Sequence, residues 1–344
     1  MHMSSILITG GAGFIGVNSA RYFASKGWKV TVLDNLSRRG TEDNLQWLKA
    51  QAPVQFERAD IRDAATVARL VGQTRPDVVL HLAAQVAVTT SVTDPRDDFE
   101  INALGTFNML EAVRNQSPES FFIYASTNKV YGKMDDVAVV ERNGRYEYKD
   151  LTTGADEMQH LDFHSPYGCS KGVADQYTID YSRIYGLRSV AFRQSCIYGT
   201  RQFGIEDQGW VAWFTIAAVL GKKITIYGDG KQIRDVLHVA DLVRAYEAAA
   251  THQDQATGQA FNIGGGPDNT MSLLELLAYL RQELKIEIPL QWDKWRPGDQ
   301  PVFVCNIQKA RERLGWQPEI SVRDGVKSLS EWVSQNAGLF SWLK

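Results

Sequence analysis

Tyr167 and Lys171 stand four residues apart in the stretch Ser165-Pro166-Tyr167-Gly168-Cys169-Ser170-Lys171. That spacing puts both side chains on one face of a helix. Ser165 is a good N-cap and Pro166 suits a first turn, so a helix is expected to begin here. A free tyrosine titrates near ~10 and is a poor base at neutral pH. An ammonium beside it favours the phenolate, so the pKa is expected to fall and Tyr167 to become a usable proton acceptor. Ser126-Thr127, at the end of the apolar run Phe121-Phe122-Ile123-Tyr124-Ala125, offers hydroxyl partners. Farther on come Arg234-Asp235 and Arg296-Pro297-Gly298-Asp299. A guanidinium stays charged and meets phosphate oxygens with paired donors. The set can move a proton on an alcohol beside an anionic group. Alone, each piece also reads as an ordinary surface pair or salt bridge, so the surrounding elements decide.

Those elements begin with Ser5-Ile6-Leu7-Ile8-Thr9, a short buried strand. Gly10-Gly11-Ala12-Gly13-Phe14-Ile15-Gly16 follows, then helical character from Asn18 to Lys26 and a second buried strand, Lys29 to Leu33, closed by Asp34. Glycines at the first turn of a β-turn-α-β unit let a pyrophosphate approach the backbone. The helix start adds free N–H groups and a positive dipole end. An acid at the end of the second strand bonds adenosine ribose hydroxyls and repels a 2′-phosphate, which favours NAD over NADP. Arg38 and Arg39 pull the other way. Gly10, Gly13, Phe14, Ile15, Gly16, Asp34 and Asn35 are the expected contacts of the dinucleotide. Its positive nicotinamide ring would further favour the Tyr167 phenolate.

The alternation continues. Val54 to Arg58 is a strand ending near Asp60-Ile61, and Asp60 could cap toward an adenine amino group. Val78-Val79-Leu80-His81 is a strand, with His81 expected in packing and Leu82, Ala83 and Ala84 small enough to lie against a cofactor. Asn102-Ala103-Leu104-Gly105-Thr106 opens a helix running to about Asn115. Repeated βα units imply an α/β fold, a Rossmann-type doubly wound parallel sheet with ligands at the carboxyl ends of its strands. A smaller C-terminal α/β substrate domain is expected beside it. The cofactor domain is expected over residues 1–195, with 225–265 rejoining it; 196–224 and 266–344 form the substrate domain.

Composition narrows the class. The chain has 344 residues and a formal net charge of −3, with hydrophobic residues at 44%. These values exclude a disordered chain and disfavour a nucleic-acid polymer as partner. No apolar run is long enough for a membrane span, and the N-terminus lacks a charged-then-apolar leader layout. Three dispersed cysteines argue against a metal site or disulfide framework and for a reducing cytoplasm.

The glycine spacing, Asp60-Ile61, the His81-Leu82-Ala83-Ala84 strand end, Asn102-x-x-Gly105-Thr106 and Tyr167-x-x-x-Lys171 together resemble the extended short-chain dehydrogenase/reductase superfamily. The resemblance covers Ile6 to about Trp332. It implies that Thr127 holds the reacting sugar oxygen, that Lys171 also holds the nicotinamide ribose, and that Asn102 lies by the cofactor. Nucleotide-sugar 4,6-dehydratases of this branch carry Asp-Glu directly after that threonine. Here Asn128-Lys129 stand there, and an amide and an ammonium cannot replace the acid and base that eliminate water. Cys196 replaces the usual asparagine. Asp34-Asn35-Leu36-Ser37-Arg38, Ser126 to Gly132, Leu161 to Gly172 and Asp207-Gln208-Gly209-Trp210 narrow the resemblance to the CDP-tyvelose (CDP-paratose) 2-epimerases. That implies epimerisation of a CDP-linked deoxyhexose at carbon 2 through a 2-keto sugar, with retained NAD, in lipopolysaccharide O-antigen biosynthesis. It implies substrate contacts at Gln85, Asn128, Lys129, His164, Ser195, Arg201, Arg234 and Arg296. Trp210, Trp213 and Tyr227 could stack on a base. The long polar insertion from Lys133 to Ser165 reads as a lid or specificity element. Helices near 102–115 and 167–184 form the dimer interface in relatives, so a homodimer or homotetramer is expected. The alternatives are another nucleotide sugar, a carbon-4 epimerase, or a non-catalytic NAD sensor.

Overall fold

A computed structural model describes residues 4–285, 287–296 and 299–343. Among them a seven-stranded sheet is formed by β1 (Ser5–Thr9), β2 (Lys29–Asp34), β3 (Val54–Arg58), β4 (Val78–His81), β5 (Phe121–Thr127), β6 (Ser189–Gln194) and β7 (Gln259–Ile263). The order is β7-β6-β5-β4-β1-β2-β3, with every neighbouring pair parallel. This is the expected doubly wound architecture. The central strands β1, β4 and β5 are almost fully buried because both faces are covered, whereas the edge strand β3, Val-Gln-Phe-Glu-Arg, is partly exposed.

Alternate residues serve opposite faces. Ile6, Ile8, Val30, Val32, Leu80 and Ile123 pack with Val17, Ala20 and Phe23 of the helix Phe14–Ser25 and with Leu242 and Tyr246 of the helix Val239–Thr251. Leu7, Leu33, Val79, Phe122 and Tyr124 pack on the other side with Val67, Met109, Leu110 and Tyr181. Those four come from the helices Ala64–Thr74, Gly105–Gln116 and Ser165–Tyr185.

The return of the chain to this sheet begins later than the sequence suggests. Ile224–Tyr227 pairs with Leu290–Asp293, and Ile233–His238 pairs with Cys196–Tyr198, Thr270–Ser272 and Val302–Phe303. Arg234 therefore belongs to the sheets of the smaller half. The helix Val239–Thr251 and β7 make the return.

The insertion is not a free lid. It carries a hairpin, Val139–Arg142 with Arg145–Tyr148, docked on the smaller half. Arg145 reaches Glu275 at 3.1 Å and Thr270 at 2.6 Å, and the Tyr146 hydroxyl donates to Asp229 at 2.6 Å. No helix of the described residues is long and apolar enough to cross a membrane.

Candidate active site

The glycine turn is built by close backbone contact. Gly10 has φ +63°, and a Cβ there would lie 2.8 Å from the Ala83 nitrogen. A Cβ on Gly16 would lie 2.2 Å from the Gly10 carbonyl oxygen. The helix Phe14–Ser25 starts after Gly13 with no side-chain cap, which leaves its first amides to a ligand. At the end of β2, the buried Asp34 carboxylate accepts from the amides of Ala12 at 3.0 Å and Leu36 at 2.8 Å. Burial raises its pKa against those bonds. Asp60 accepts from Asn35 at 3.0 Å and from both arms of Arg62, whose hydrogen bonds hold it at about 2.

These residues open onto one cleft of about 480 Å³. Of the positions expected around a dinucleotide, Gly10, Gly13, Phe14, Ile15, Gly16, Asp34, Asn35, Asp60, Ile61, Leu82, Ala83, Ala84, Tyr167 and Lys171 line it. Asn102 does not. It sits in a π-helical turn, Glu100–Leu104, 1% exposed, and its amide exchanges hydrogen bonds with the Gln85 backbone at 2.9 and 3.0 Å. The cleft wall there is Gln85 itself.

The reactive pair departs from the simple expectation in its electrostatics. The helix Ser165–Tyr185 starts one residue earlier than expected: His164 is its N-cap, while Ser165, at φ +67°, still accepts from the Gly168 amide at 3.2 Å. Tyr167 is 8% exposed, and burial pushes its pKa up to about 12; the Thr127 hydroxyl opposes that rise, Asp98 adds to it, and Arg38 lowers it. Lys171 does not depress it, because its ammonium is turned to the Ala125 carbonyl at 2.6 Å and lies 4.4 Å from the Tyr124 ring centre. Burial brings Lys171 itself down to about 7, against Asp175 and Asp98. The fall expected for Tyr167 is thus reversed by desolvation in the folded chain.

His81 is structural. Buried, with its pKa lowered to about 3 by desolvation, it stays neutral and bridges Thr9 at 2.7 Å and Thr106 at 3.0 Å. Thr9 in turn accepts from the Leu82 and Ala83 amides. No sequence signal marked Asp98. It lies in the short helix Pro95–Phe99, 1% exposed, and accepts from Ser170 at 2.5 Å and from Asn102 and Gln85 at 3.1 Å each.

A second group of expected residues gathers beyond Thr127. Lys129 donates to Gln300 at 3.3 Å. Its pKa is lowered to about 8 by burial and by Arg234, while Asp299 and Cys196 oppose the drop. Arg234 pairs with Asp299 at 2.6 Å. Arg296 lies 3.9 Å from the Tyr227 ring centre and pairs with Asp207 at 3.2 Å; Pro297 and Gly298 of its motif lie outside the described residues. Tyr227 thereby uses one face on Arg296. Trp210 and Trp213 are half-buried in the core of the smaller half. Thr127 donates to Asn128 at 3.4 Å.

Four expected substrate contacts lie apart from this group. Ser195 donates its hydroxyl to the buried Asp235. His164 is exposed on the surface just before the Tyr167 helix. Arg201 lines the dinucleotide cleft, its guanidinium 4.3 Å from the Trp47 ring centre, because Asn44 binds its carbonyl and draws the segment there. Gln85 lines that cleft too. Arg38 bonds Gln208 and Arg39 stacks 4.2 Å from the centre of Trp342, so both have partners outside the Asp34 carboxylate.

The chain's own groups fit a pyridine dinucleotide. A cradle that any Cβ would fill, uncapped helix amides and a buried ribose-hydroxyl acceptor lie along one cleft that ends at Tyr167 and Lys171. Comparison with known proteins agrees. The family model described as GDP-mannose 4,6 dehydratase matches residues 7–329. CDP-paratose 2-epimerase of Salmonella typhi is 47% identical over 334 residues, covering 96% of this chain and 99% of that one. The UDP-glucose 4-epimerase of Thermotoga maritima, solved with UDP-glucose, superposes with a TM-score of 0.84 at 31% identity over 97% of this chain and 99% of its own. The UDP-glucose 4-epimerase of Thermus thermophilus, solved with NAD, gives 0.81 at 31% identity, with the same coverage.

Proposed function

From the premise that the chain belongs to the GDP-mannose 4,6-dehydratase family of extended short-chain dehydrogenases/reductases, we propose that it is an NAD-dependent epimerase of a CDP-linked deoxyhexose, acting at carbon 2. The carrying observation is the 47% identity, over nearly the whole of both chains, to a CDP-paratose 2-epimerase. The strand end supports it: Thr127 is followed by Asn128 and Lys129, so the acid and base of a dehydratase are missing there.

Bound NAD supplies a reversible hydride acceptor at its nicotinamide ring. Gly10, Gly13, Gly16 and Asp34 would hold its pyrophosphate and adenosine ribose, and Lys171 the nicotinamide ribose. Tyr167 takes the proton of the carbon-2 hydroxyl, while Thr127 holds that oxygen. The sugar loses one hydride and one proton and becomes a 2-keto sugar. Arg234 and Arg296 keep the diphosphate anchored by charge-assisted bonds while the sugar turns about its link. Tyr167 returns the proton after hydride re-enters on the opposite face, so no external reductant is used. Burial keeps the Tyr167 phenol protonated in the cofactor-free chain, and the positive ring of a bound oxidised cofactor would favour the deprotonation that the first step needs.

A homo-oligomer goes with this reading. Phe107, Tyr177, Ile184 and Tyr185 are exposed on the helices Gly105–Gln116 and Ser165–Tyr185, where a second copy would cover them. The proposal also places the enzyme in the cytoplasm, in the supply of lipopolysaccharide O-antigen sugars. NMR of the products after incubation with CDP-, UDP-, GDP- and dTDP-linked sugars tests the substrate. Inversion at carbon 2 of a CDP-sugar is expected, and inversion at carbon 4 of a UDP-sugar with no reaction of the CDP-sugar would overturn the reading.

A further inference from the structure

Asp98 is a buried carboxylate outside every motif, and it faces the helix turn that carries Tyr167 and Lys171. One oxygen accepts from the Ser170 hydroxyl at 2.5 Å; the other accepts from Asn102 and Gln85 at 3.1 Å each. Ser170 is the residue before Lys171, and its hydroxyl also lies 3.2 Å from the Tyr167 carbonyl oxygen. The four side chains thus tie three segments together: the cleft wall at Gln85, the π-helical turn at Asn102 and the catalytic helix. No ion pair reaches Asp98 among the described residues. Asp98 shares its electrostatics with the Lys171 ammonium, on which Asp175 acts more strongly still. The other acid facing that lysine, Asp175, is engaged by Arg193 at 3.0 Å.

We propose that Asp98 is a positioning residue for the Tyr167–Lys171 pair, fixing their helix turn through Ser170 and adding to the negative charge that favours the Lys171 ammonium. The assignment rests on the oxidoreductive reading above only for what the pair does, not for how Asp98 acts on it. Lys171 is otherwise faced by uncharged groups: the Tyr124 ring, the neutral His81 and the Ala125 carbonyl. A buried ammonium with so little compensation sheds its proton easily. Asp175 acts on Lys171 more strongly but also pairs with Arg193, so Asp98 supplies the part of the balance that Arg193 does not share. A charged Lys171 can hold a ribose hydroxyl by a charge-assisted bond; a neutral one cannot.

The test follows the Lys171 ammonium directly, by ¹³C NMR of lysine Cε in the full-length protein, with Lys171→Arg to assign the signal. In Asp98→Asn the Lys171 titration midpoint is expected to move to lower pH by roughly one unit or more. Ser170→Ala, which removes the hydrogen bond and keeps the charge, is expected to leave the midpoint close to wild type. An unshifted midpoint in Asp98→Asn overturns the proposal, as does an equal shift in Ser170→Ala. Should Asp98→Asn not fold, the carboxyl ¹³C signal of Asp98 in the wild-type protein decides. It should show an ionised Asp98 across the pH range in which Lys171 titrates, and a protonated one would refute the charge role. Turnover enters none of these readouts, so a wrong substrate assignment and a wrong role for Asp98 fail separately.

Discussion

The Lys171 ammonium donates to the carbonyl oxygen of Ala125 at 2.6 Å, two residues before Thr127 on the same strand. The lysine is thereby anchored to the floor of the cleft rather than to the tyrosine it serves. Folded Lys171 gives up its proton near 7, whereas the unfolded side chain does so near ~10.4. Between those values the unfolded chain binds more protons, so this group adds stability as pH rises. Relative to Lys171→Met, the wild-type protein should therefore gain up to about 1.4 kcal/mol per pH unit from pH 7 to 9. Urea unfolding at constant ionic strength measures it; a pH-independent difference would contradict the buried, low-pKa lysine.

Tyr167→Phe should lower turnover about 100- to 10,000-fold, the usual range for loss of a general acid–base. The cofactor content of the purified protein should stay the same, since the glycine turn and Asp34 are untouched. Loss of cofactor along with activity would make Tyr167 a binding residue instead.

Gly16→Ala places a methyl 2.2 Å from the Gly10 carbonyl oxygen, which is backbone and cannot swing aside. The turn must open, at a cost of about 1–3 kcal/mol. Cofactor binding by calorimetry should weaken at least tenfold, with a lower thermal midpoint. Wild-type affinity would mean that the dinucleotide does not sit on this turn.

Arg296→Ala should raise KM for the nucleotide sugar about 10- to 100-fold, the equivalent of a charge-assisted contact, with a smaller change in kcat. Its partner Asp207 is 47% exposed, so losing the pair strands no buried charge. An unchanged KM would place the diphosphate away from Arg296.

Much of this site is legible in the residues because its geometry is local. The glycine turn, the acid closing β2 and the Tyr167–Lys171 spacing each follow from a few consecutive residues. What sequence could not show depends on contacts between distant segments. Asp98 lies 72 residues from Ser170 and belongs to no pattern. Ser195 precedes Cys196 in a segment that looks like a substrate wall, yet Asp235, 40 residues on, captures its hydroxyl. Arg201 turns to the dinucleotide cleft because Trp47 and Asn44 receive it there. The electrostatics of Tyr167 depart from the local pattern for a related reason. A neighbouring ammonium is readable from spacing, but the desolvation that outweighs it comes from the whole fold.

The central claim is oxidation and re-reduction at carbon 2. A CDP-linked dideoxyhexose carrying deuterium at carbon 2, incubated in ordinary water without added cofactor, tests it in one spectrum. Inversion at carbon 2 with the deuterium kept there is expected, because the hydride that leaves is the one that returns. Inversion with loss of the label to solvent, or water loss in place of inversion, would contradict it.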